Sequence, residues 1–424
     1  MKKIINNIKS KKIKVAIIGL GYVGLELLLA IDKKNFKTTG FDKNLEKINL
    51  LNQNKSPIST VSNTRIKKTN ANFLSNKFFN NLKFFDIVII CLPTPLKKNN
   101  KPDNSYLKNC LEDIYPYLKH NQLLIIESTV FPGGIEEIFI KKLKKKFQIG
   151  KNFYISFSPE RVSPAKKIDL EYNEIVKLIS GKTNNCLNIA NYFYSKIFKK
   201  THPCNSIEIA EFTKVYENAY RAVNISFVNQ MKMICKKFNI NIYDIIEAAK
   251  TKSFGFIPYL PSPGIGGHCI PIDPAFISFV ARKKKIKATI IENALKINSE
   301  VTKWVITEVL KRVKVNSRIL ILGIGYKKDV DDYRESASVK ILKSLDKKCK
   351  VSFYDPYVKK IKITSHYNYG IKKFSYKKLK NYDAVILGTD HSIFKYNLIL
   401  KFSKIIFDTR TRFGNIKSKK VIHC

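Results

Sequence analysis

The 424-residue chain lacks any long apolar run. No stretch approaches the eighteen or more apolar residues of a membrane-spanning helix. It is also poor in organised cysteine. The eight thiols (Cys91, Cys110, Cys186, Cys204, Cys235, Cys269, Cys349 and Cys424) form no CxxC pair and no zinc-like spacing with histidine. They read as thiols of a reducing compartment, and no metal is expected. The basic start "MKKIINNIKSKKIKVAIIGLGYVGL" is interrupted by glycines, shows no small-residue cleavage pattern and soon meets Glu26. That argues against a secretory signal, so the expected location is the cytoplasm. Acidic residues are scarce too: 33 Asp and Glu stand against 78 Lys and Arg, a formal charge of +45. Such an excess ordinarily suggests nucleic acid or an anionic membrane. Here the lysines are scattered through every segment, among abundant Asn, Ile, Phe and Tyr, which fits a compositional bias better than a binding stripe. Neither nucleic acid nor membrane is expected as a partner, although the field would attract an anionic nucleotide.

What is present is alternation. At 44% hydrophobic content the chain can build two or three cores. The runs "KVAIIGL", "KTTGFD", "DIVIICLP", "QLLIIES" and "FYISFS" read as buried strands bounded by Gly, Pro or Ser, alternating with amphipathic stretches. That predicts a parallel sheet wound with helices. From Ser206 to Phe238 no Gly or Pro occurs, which predicts one helix on the order of 50 Å long with Ser206 as N-cap. Glu208 and Glu211 suit the positive end of its dipole. "RILILGIG", "VSFYDP", "DAVILGTD" and "KIIFDTR" then announce a second α/β unit. It carries Gly323 and Gly325 but Lys328 at the third position of a dinucleotide fingerprint.

Three stretches carry chemistry. "GLGYVG" sets Gly19, Gly21 and Gly24 between a strand and a helix, as a pyrophosphate-binding turn requires, and Asp42 closes the next strand. A carboxylate there suits the free ribose hydroxyls of NAD, with Lys43 and Lys47 close by. On the long helix Lys214, Asn218, Arg221 and Ile225 share a face. They form either a solvated stripe or a set that fixes a substrate oxygen. "GIGGHCIPIDP", residues 264–274, stiffens Cys269 between glycines and prolines with Asp273 four residues on. His268 adjoins the thiol, but neighbouring residues usually point apart.

These pieces together resemble the UDP-glucose/GDP-mannose dehydrogenase family over essentially the whole chain. The likeness rests on "GLGYVG", "CLPTPL", "ESTVFPGG", "SPER", "AEFTKVYENAYRAVNISFVNQ", "GIGGHCIPIDP" and "GIGYKKDVDDYRES". "FGFIPYLPSPGIGGHCIPIDP" and "GTDHSIFKYNLI" look most like its UDP-N-acetyl-D-glucosamine 6-dehydrogenase branch, which serves surface-polysaccharide synthesis. Lineages oxidising UDP-glucose tend to carry Lys where Ile272 stands.

The resemblance implies an α/β fold of two Rossmann-like doubly wound domains joined by a long central helix. Its expected parts are an NAD-binding domain over 1–205, a central region with the cysteine loop over 206–312, and a UDP-sugar domain over 313–424. It implies oxidation of a primary alcohol to a carboxylate with two NAD per sugar, through a thiohemiacetal and a thioester on Cys269. Lys214 and Asn218 would hold the oxyanions. Asp273, Glu160 and Thr129 would serve the hydrolytic water. Gly19, Gly21, Tyr22, Val23, Gly24, Asp42, Lys47, Thr94, Ser128 and Arg334 would meet the cofactor. Arg161, Arg221, Gly266 and Lys327 would join Glu160, Lys214 and Asn218 around the substrate, with glycine amides of the cysteine loop facing it. A second carboxylate four residues after Glu160 in some members is Pro164 here. The apolar positions of the 206–238 helix exceed what one domain would cover, so a homodimer is expected. Competing readings are UDP-glucose, UDP-N-acetylmannosamine or UDP-N-acetylgalactosamine as substrate, a two-electron 3-hydroxyacid dehydrogenase, and a non-enzymatic nucleotide binder.

Overall fold

The apolar runs of the first half become strands of one sheet. The computed structural model describes residues 1–161, 174–363, 366–414, 416 and 418–424, so Pro164 lies outside the described residues. The strands are β1 (Lys14–Ile18), β2 (Lys37–Asp42), β3 (Asn72–Ser75), β4 (Ile87–Ile90), β5 (Leu123–Ile126), β6 (Tyr154–Phe157), β7 (Lys177–Gly181) and β8 (Thr201–Pro203). Their order across the sheet is β3-β2-β1-β4-β5-β6-β7-β8. The first six are parallel, in the order of a doubly wound dinucleotide fold, and β7 joins β6 antiparallel. Every residue of β4 ("IVII") and β5 ("LLII") is buried, as befits parallel strands covered on both faces. Each such side chain contributes roughly 1.5–3 kcal/mol by leaving water.

The chain divides into two compact units, Met1–Glu217 with Phe279–Lys285, and Asn218–Ser278 with Ile286–Cys424. The second holds a parallel sheet of β9 (Arg318–Leu322), β10 (Lys350–Tyr354), β13 (Ala384–Leu387), β14 (Ile406–Asp408) and β15 (Val421–His423), ordered β10-β9-β13-β14-β15. Counted within the unit this is 2-1-3-4-5, the other common doubly wound order. A small antiparallel pair, β11 (Lys360–Ile363) and β12 (His366–Tyr369), follows β10.

One device recurs in both units. Asp42 closes β2 and accepts the Leu20 amide of the turn after β1 at 2.9 Å. Asp355, just after β10, accepts the Ile324 and Gly325 amides of the turn after β9 at 2.7 and 3.0 Å. Each carboxylate ties a phosphate-style turn to the neighbouring strand.

The Gly- and Pro-free stretch forms a single helix, Ile207–Lys237, of 31 residues. That is about 46 Å at 1.5 Å per residue. Ser206 caps it, its Oγ accepting the Ile209 amide at 3.2 Å. Glu211 departs from its expected role. It is fully buried, and its carboxylate accepts the Gly133 and Ile135 amides at 2.6 and 2.8 Å. It therefore satisfies the start of another helical segment, and burial raises its pKa to about 7 against the pull of those amides.

Candidate active site

In the first unit the expected residues gather at the carboxyl ends of parallel strands, where doubly wound sheets bind ligands. After β1, Gly19 donates its amide to Phe41 O at 2.7 Å, and Leu25 donates to Gly21 O at 3.0 Å, so helical winding starts inside the glycine turn. A Cβ at Gly24 would collide with the carbonyl oxygen of Gly19, which excludes any side chain there. Beside Gly21 the space is open to 4 Å. The start of the helix Gly24–Asp32, the positive end of its dipole, suits an anion placed there. Tyr22 and Val23 flank this opening and are half-buried.

Asp42 is buried at the end of β2. It accepts the Asn44 amide at 2.9 Å and meets Lys47 Nζ at 3.4 Å. Beyond β4 and β5, Ser128 Oγ accepts the Leu92 amide at 2.7 Å, joining the loop that carries buried Thr94 to the segment that carries Thr129. A glycine turn with open space, a helix start and a carboxylate at the next strand end are what an adenine dinucleotide requires, and the residues fit it.

Glu160 and Arg161 follow β6. Glu160 Oε1 accepts the Arg161 amide at 2.7 Å, and the Glu160 main-chain oxygen accepts Lys214 Nζ at 2.5 Å. Arg161 is engaged by protein: its Nε lies 3.2 Å from Glu217 Oε2 and its Nη1 donates to Val176 O at 2.9 Å. Lys214 and Asn218, four residues apart on the long helix, are both buried, whereas Arg221 is exposed. A merely solvated stripe does not describe the first two.

In the second unit the cysteine loop is pinned from several sides. Asn218 Nδ2 donates to Asp273 Oδ2 at 2.6 Å, and Asp273 opens the helix Asp273–Lys283, whose N-terminus favours its charge. The Cys269 carbonyl accepts the Ile272 and Asp273 amides at 3.1 and 2.8 Å. Thr302 Oγ1 donates to Pro263 O at 2.8 Å, and the Ile265 amide donates to Asn298. Gly267 has φ +88°, and a Cβ on it would come within 2.7 Å of the Tyr326 ring, so only glycine lets the loop lie against "GYKKDVDDYRES". Its amide donates to Arg334 O at 3.0 Å rather than standing free for a ligand, and Gly266 is buried. Among the eight cysteines, all within the described residues, Cys269 alone is exposed.

His268 is half-buried, and burial lowers its pKa, helped by the charge of Arg334. Lys327 is partly exposed. The Arg334 guanidinium grips Asp332 at 2.7 and 3.0 Å.

Sequence reasoning missed a buried cluster in the first unit. Lys177 of β7 sits 2.5 Å from Glu127 and 3.4 Å from Glu160. Burial lifts the Glu127 carboxyl to about 7, against the opposing pull of Lys177. An uninterrupted "KLISG" strand beginning with lysine offered a signal, but its partners are set by sheet order.

Comparison with known proteins agrees with this geometry. Residues 13–198 match the NAD binding domain of the UDP-glucose/GDP-mannose dehydrogenase family, 208–300 its central domain and 320–415 its UDP binding domain. A UDP-N-acetyl-D-glucosamine 6-dehydrogenase of Pseudomonas aeruginosa is 32% identical over 396 residues, 91% of this chain and 92% of that protein. A UDP-N-acetyl-D-mannosamine dehydrogenase of Methanococcus aeolicus is 32% identical over 401 residues, 91% and 87% of the two chains. The native structure of the UDP-N-acetyl-mannosamine dehydrogenase Cap5O from Staphylococcus aureus superposes with a TM-score of 0.80 at 28% identity, covering 96% of this chain and 97% of that one. No helix among the described residues is long and apolar enough to cross a membrane.

Proposed function

Because the chain belongs to the UDP-glucose/GDP-mannose dehydrogenase family, NAD-dependent oxidoreductases acting on UDP-sugars, we propose that it oxidises the C6 alcohol of UDP-N-acetyl-D-glucosamine to the uronic acid, for surface-polysaccharide synthesis. The observation that carries the reading is the loop at Cys269: one exposed thiol, stiffened by its surroundings, four residues before a buried aspartate bonded to Asn218.

The Gly19–Gly24 turn would hold NAD, which would supply the hydride acceptor for each of two oxidations. The protein's own residues do the rest. Cys269 adds through sulfur to the C6 aldehyde, because sulfur both attacks and leaves readily. The Lys214 ammonium and the Asn218 amide stabilise the oxyanion that addition creates. Glu160, Thr129 and Asp273 orient and deprotonate the water that cleaves the resulting thioester. Lys327, Arg161, Arg221 and Gly266 hold the sugar nucleotide; Asp42, Lys47, Thr94, Ser128 and Arg334 hold the cofactor. Residues 1–205 thus carry NAD, 206–312 the cysteine loop and the dimer contact, and 313–424 the UDP-sugar. The location that fits is the cytoplasm.

An exposed apolar stripe at Ile209, Phe212, Tyr216, Tyr220 and Phe227 supports a homodimer through the long helix. The substrate preference leans on "FGFIPYLPSPGIGGHCIPIDP" and on the Pseudomonas relative. UDP-N-acetylmannosamine is the second reading, favoured by the Methanococcus relative and the Cap5O structure.

The test is NADH released per sugar across a panel of UDP-N-acetylglucosamine, UDP-N-acetylmannosamine, UDP-N-acetylgalactosamine and UDP-glucose. A ratio of about two with the first sugar fastest is expected from the four-electron chemistry. A ratio of about one would place the chain with two-electron dehydrogenases.

A further inference from the structure

Lys177 is a wholly buried ammonium that the proposed reaction does not use. Its Nζ lies 2.5 Å from Glu127 Oε2, 3.4 Å from Glu160 Oε2 and 3.5 Å from the Pro159 carbonyl. The rings of Tyr194 and Phe198 close over it, with centroids at 5.5 and 5.4 Å. The other oxygen of Glu127 accepts the Tyr194 hydroxyl.

A charge removed from water is costly unless its partners repay it, and Lys177 has no route to solvent. Whatever its charge does, it does through the two carboxylates. Glu127 has no exposed side-chain surface and cannot touch a substrate, whereas the Glu160 side chain is 12% exposed. Glu160 is held at both oxygens, Oε1 by the Arg161 amide at 2.7 Å and Oε2 by Lys177. The Lys177 ammonium lies nearer to Glu127 than to Glu160. Glu127 offsets that charge while leaving the orientation fixed.

Resting on the reading in which Glu160 serves thioester hydrolysis, we propose that Lys177 and Glu127 are positioning residues for Glu160, Glu127 fixing the Lys177 ammonium from the end of β5. In the step they support, the water oxygen bonds to the carbonyl carbon as the carbon–sulfur bond breaks. The electron pair of that bond leaves on the Cys269 sulfur. One water proton passes to Glu160 and then to the thiolate, and the acid formed loses its remaining proton to solvent.

The experiment uses the full chain with NAD and UDP-N-acetylglucosamine, comparing wild type, Glu160→Gln, Lys177→Met and the double variant Lys177→Met/Glu127→Gln. The double variant removes both buried charges together, so it keeps the test open where Lys177→Met alone does not fold. The expected result for it is a kcat about a hundredfold lower, the lower reach of a general base's contribution. KM for both substrates should stay near wild type, and a sugar adduct should accumulate on Cys269 by intact-protein mass spectrometry. A double variant turning over at the wild-type rate without adduct would overturn the inference. If Glu160→Gln stalls with adduct while the double variant does not, this inference alone fails. If Glu160→Gln is itself fully active without adduct, the hydrolytic reading fails and takes the inference with it.

Discussion

Asn218 shows how one bond links stability and chemistry. Its amide donates to the buried Asp273 carboxylate at 2.6 Å, and it stands four residues from Lys214 on the helix. Asn218→Ala should cost about 1–3 kcal/mol of stability, as a buried acceptor loses its donor. It should also cut kcat by about a hundredfold or more, the worth of one oxyanion donor; thermal unfolding and steady-state kinetics check the two effects separately. Glu211 supplies a pH-dependent prediction. Its folded pKa of about 7 lies above the ordinary 4.5, so its contribution is fully present below about 4.5 and is lost as pH rises through about 7. The stability of wild type relative to Glu211→Gln should therefore decline across that window, by up to about 3 kcal/mol, as read by denaturant titration at a series of pH values. Residues whose role depends on local stiffness, such as Cys269 in its Gly–Pro loop and Asp42 at a strand end, stood out in the sequence. Residues whose partners are distant did not. Lys177 and Glu127 are 50 positions apart, and Glu217, the unforeseen partner of Arg161, is 56 positions from it. Only sheet order and the course of the helix bring them together.

At the level of elements, the runs that were both apolar and bounded by breakers appear as β1, β2, β4, β5 and β6, and in the second unit as β9, β10, β13 and β14. Short or polar strands escaped. β3 reads "NFLS" and β8 only "THP", while β11 and β12 mix lysine, asparagine and tyrosine with isoleucine. Their pairing is decided by neighbours more than by their own pattern. The long helix was legible because nothing in it breaks a helix, and its exposed stripe carries the dimer prediction. Phe227 is 61% and Tyr216 67% exposed. Phe227→Glu with Tyr216→Glu should shift the mass by light scattering from two chains to one, since a buried unpaired charge opposes association. A wild-type chain that scatters as a monomer would refute the dimer itself.

For the whole molecule, the excess of 78 basic over 33 acidic residues sets a positive field with no stripe in the sequence to focus it. The expected consequence is kinetic: kcat/KM for an anionic UDP-sugar should fall several-fold from low to physiological salt, and a salt series of initial rates checks it. Two doubly wound sheets, a glycine turn after β1, an aspartate-tied turn after β9 and a helix of 31 residues fit the expected plan. What charge and topology leave to the side chains is the covalent step. Intact-protein mass spectrometry of turnover mixtures quenched in acid tests that step most directly. The account predicts a species heavier by one sugar nucleotide, mapped by peptide digestion to Cys269 and absent from Cys269→Ala. Turnover that yields the uronic acid with Cys269 never modified, or undiminished in Cys269→Ala, would contradict it.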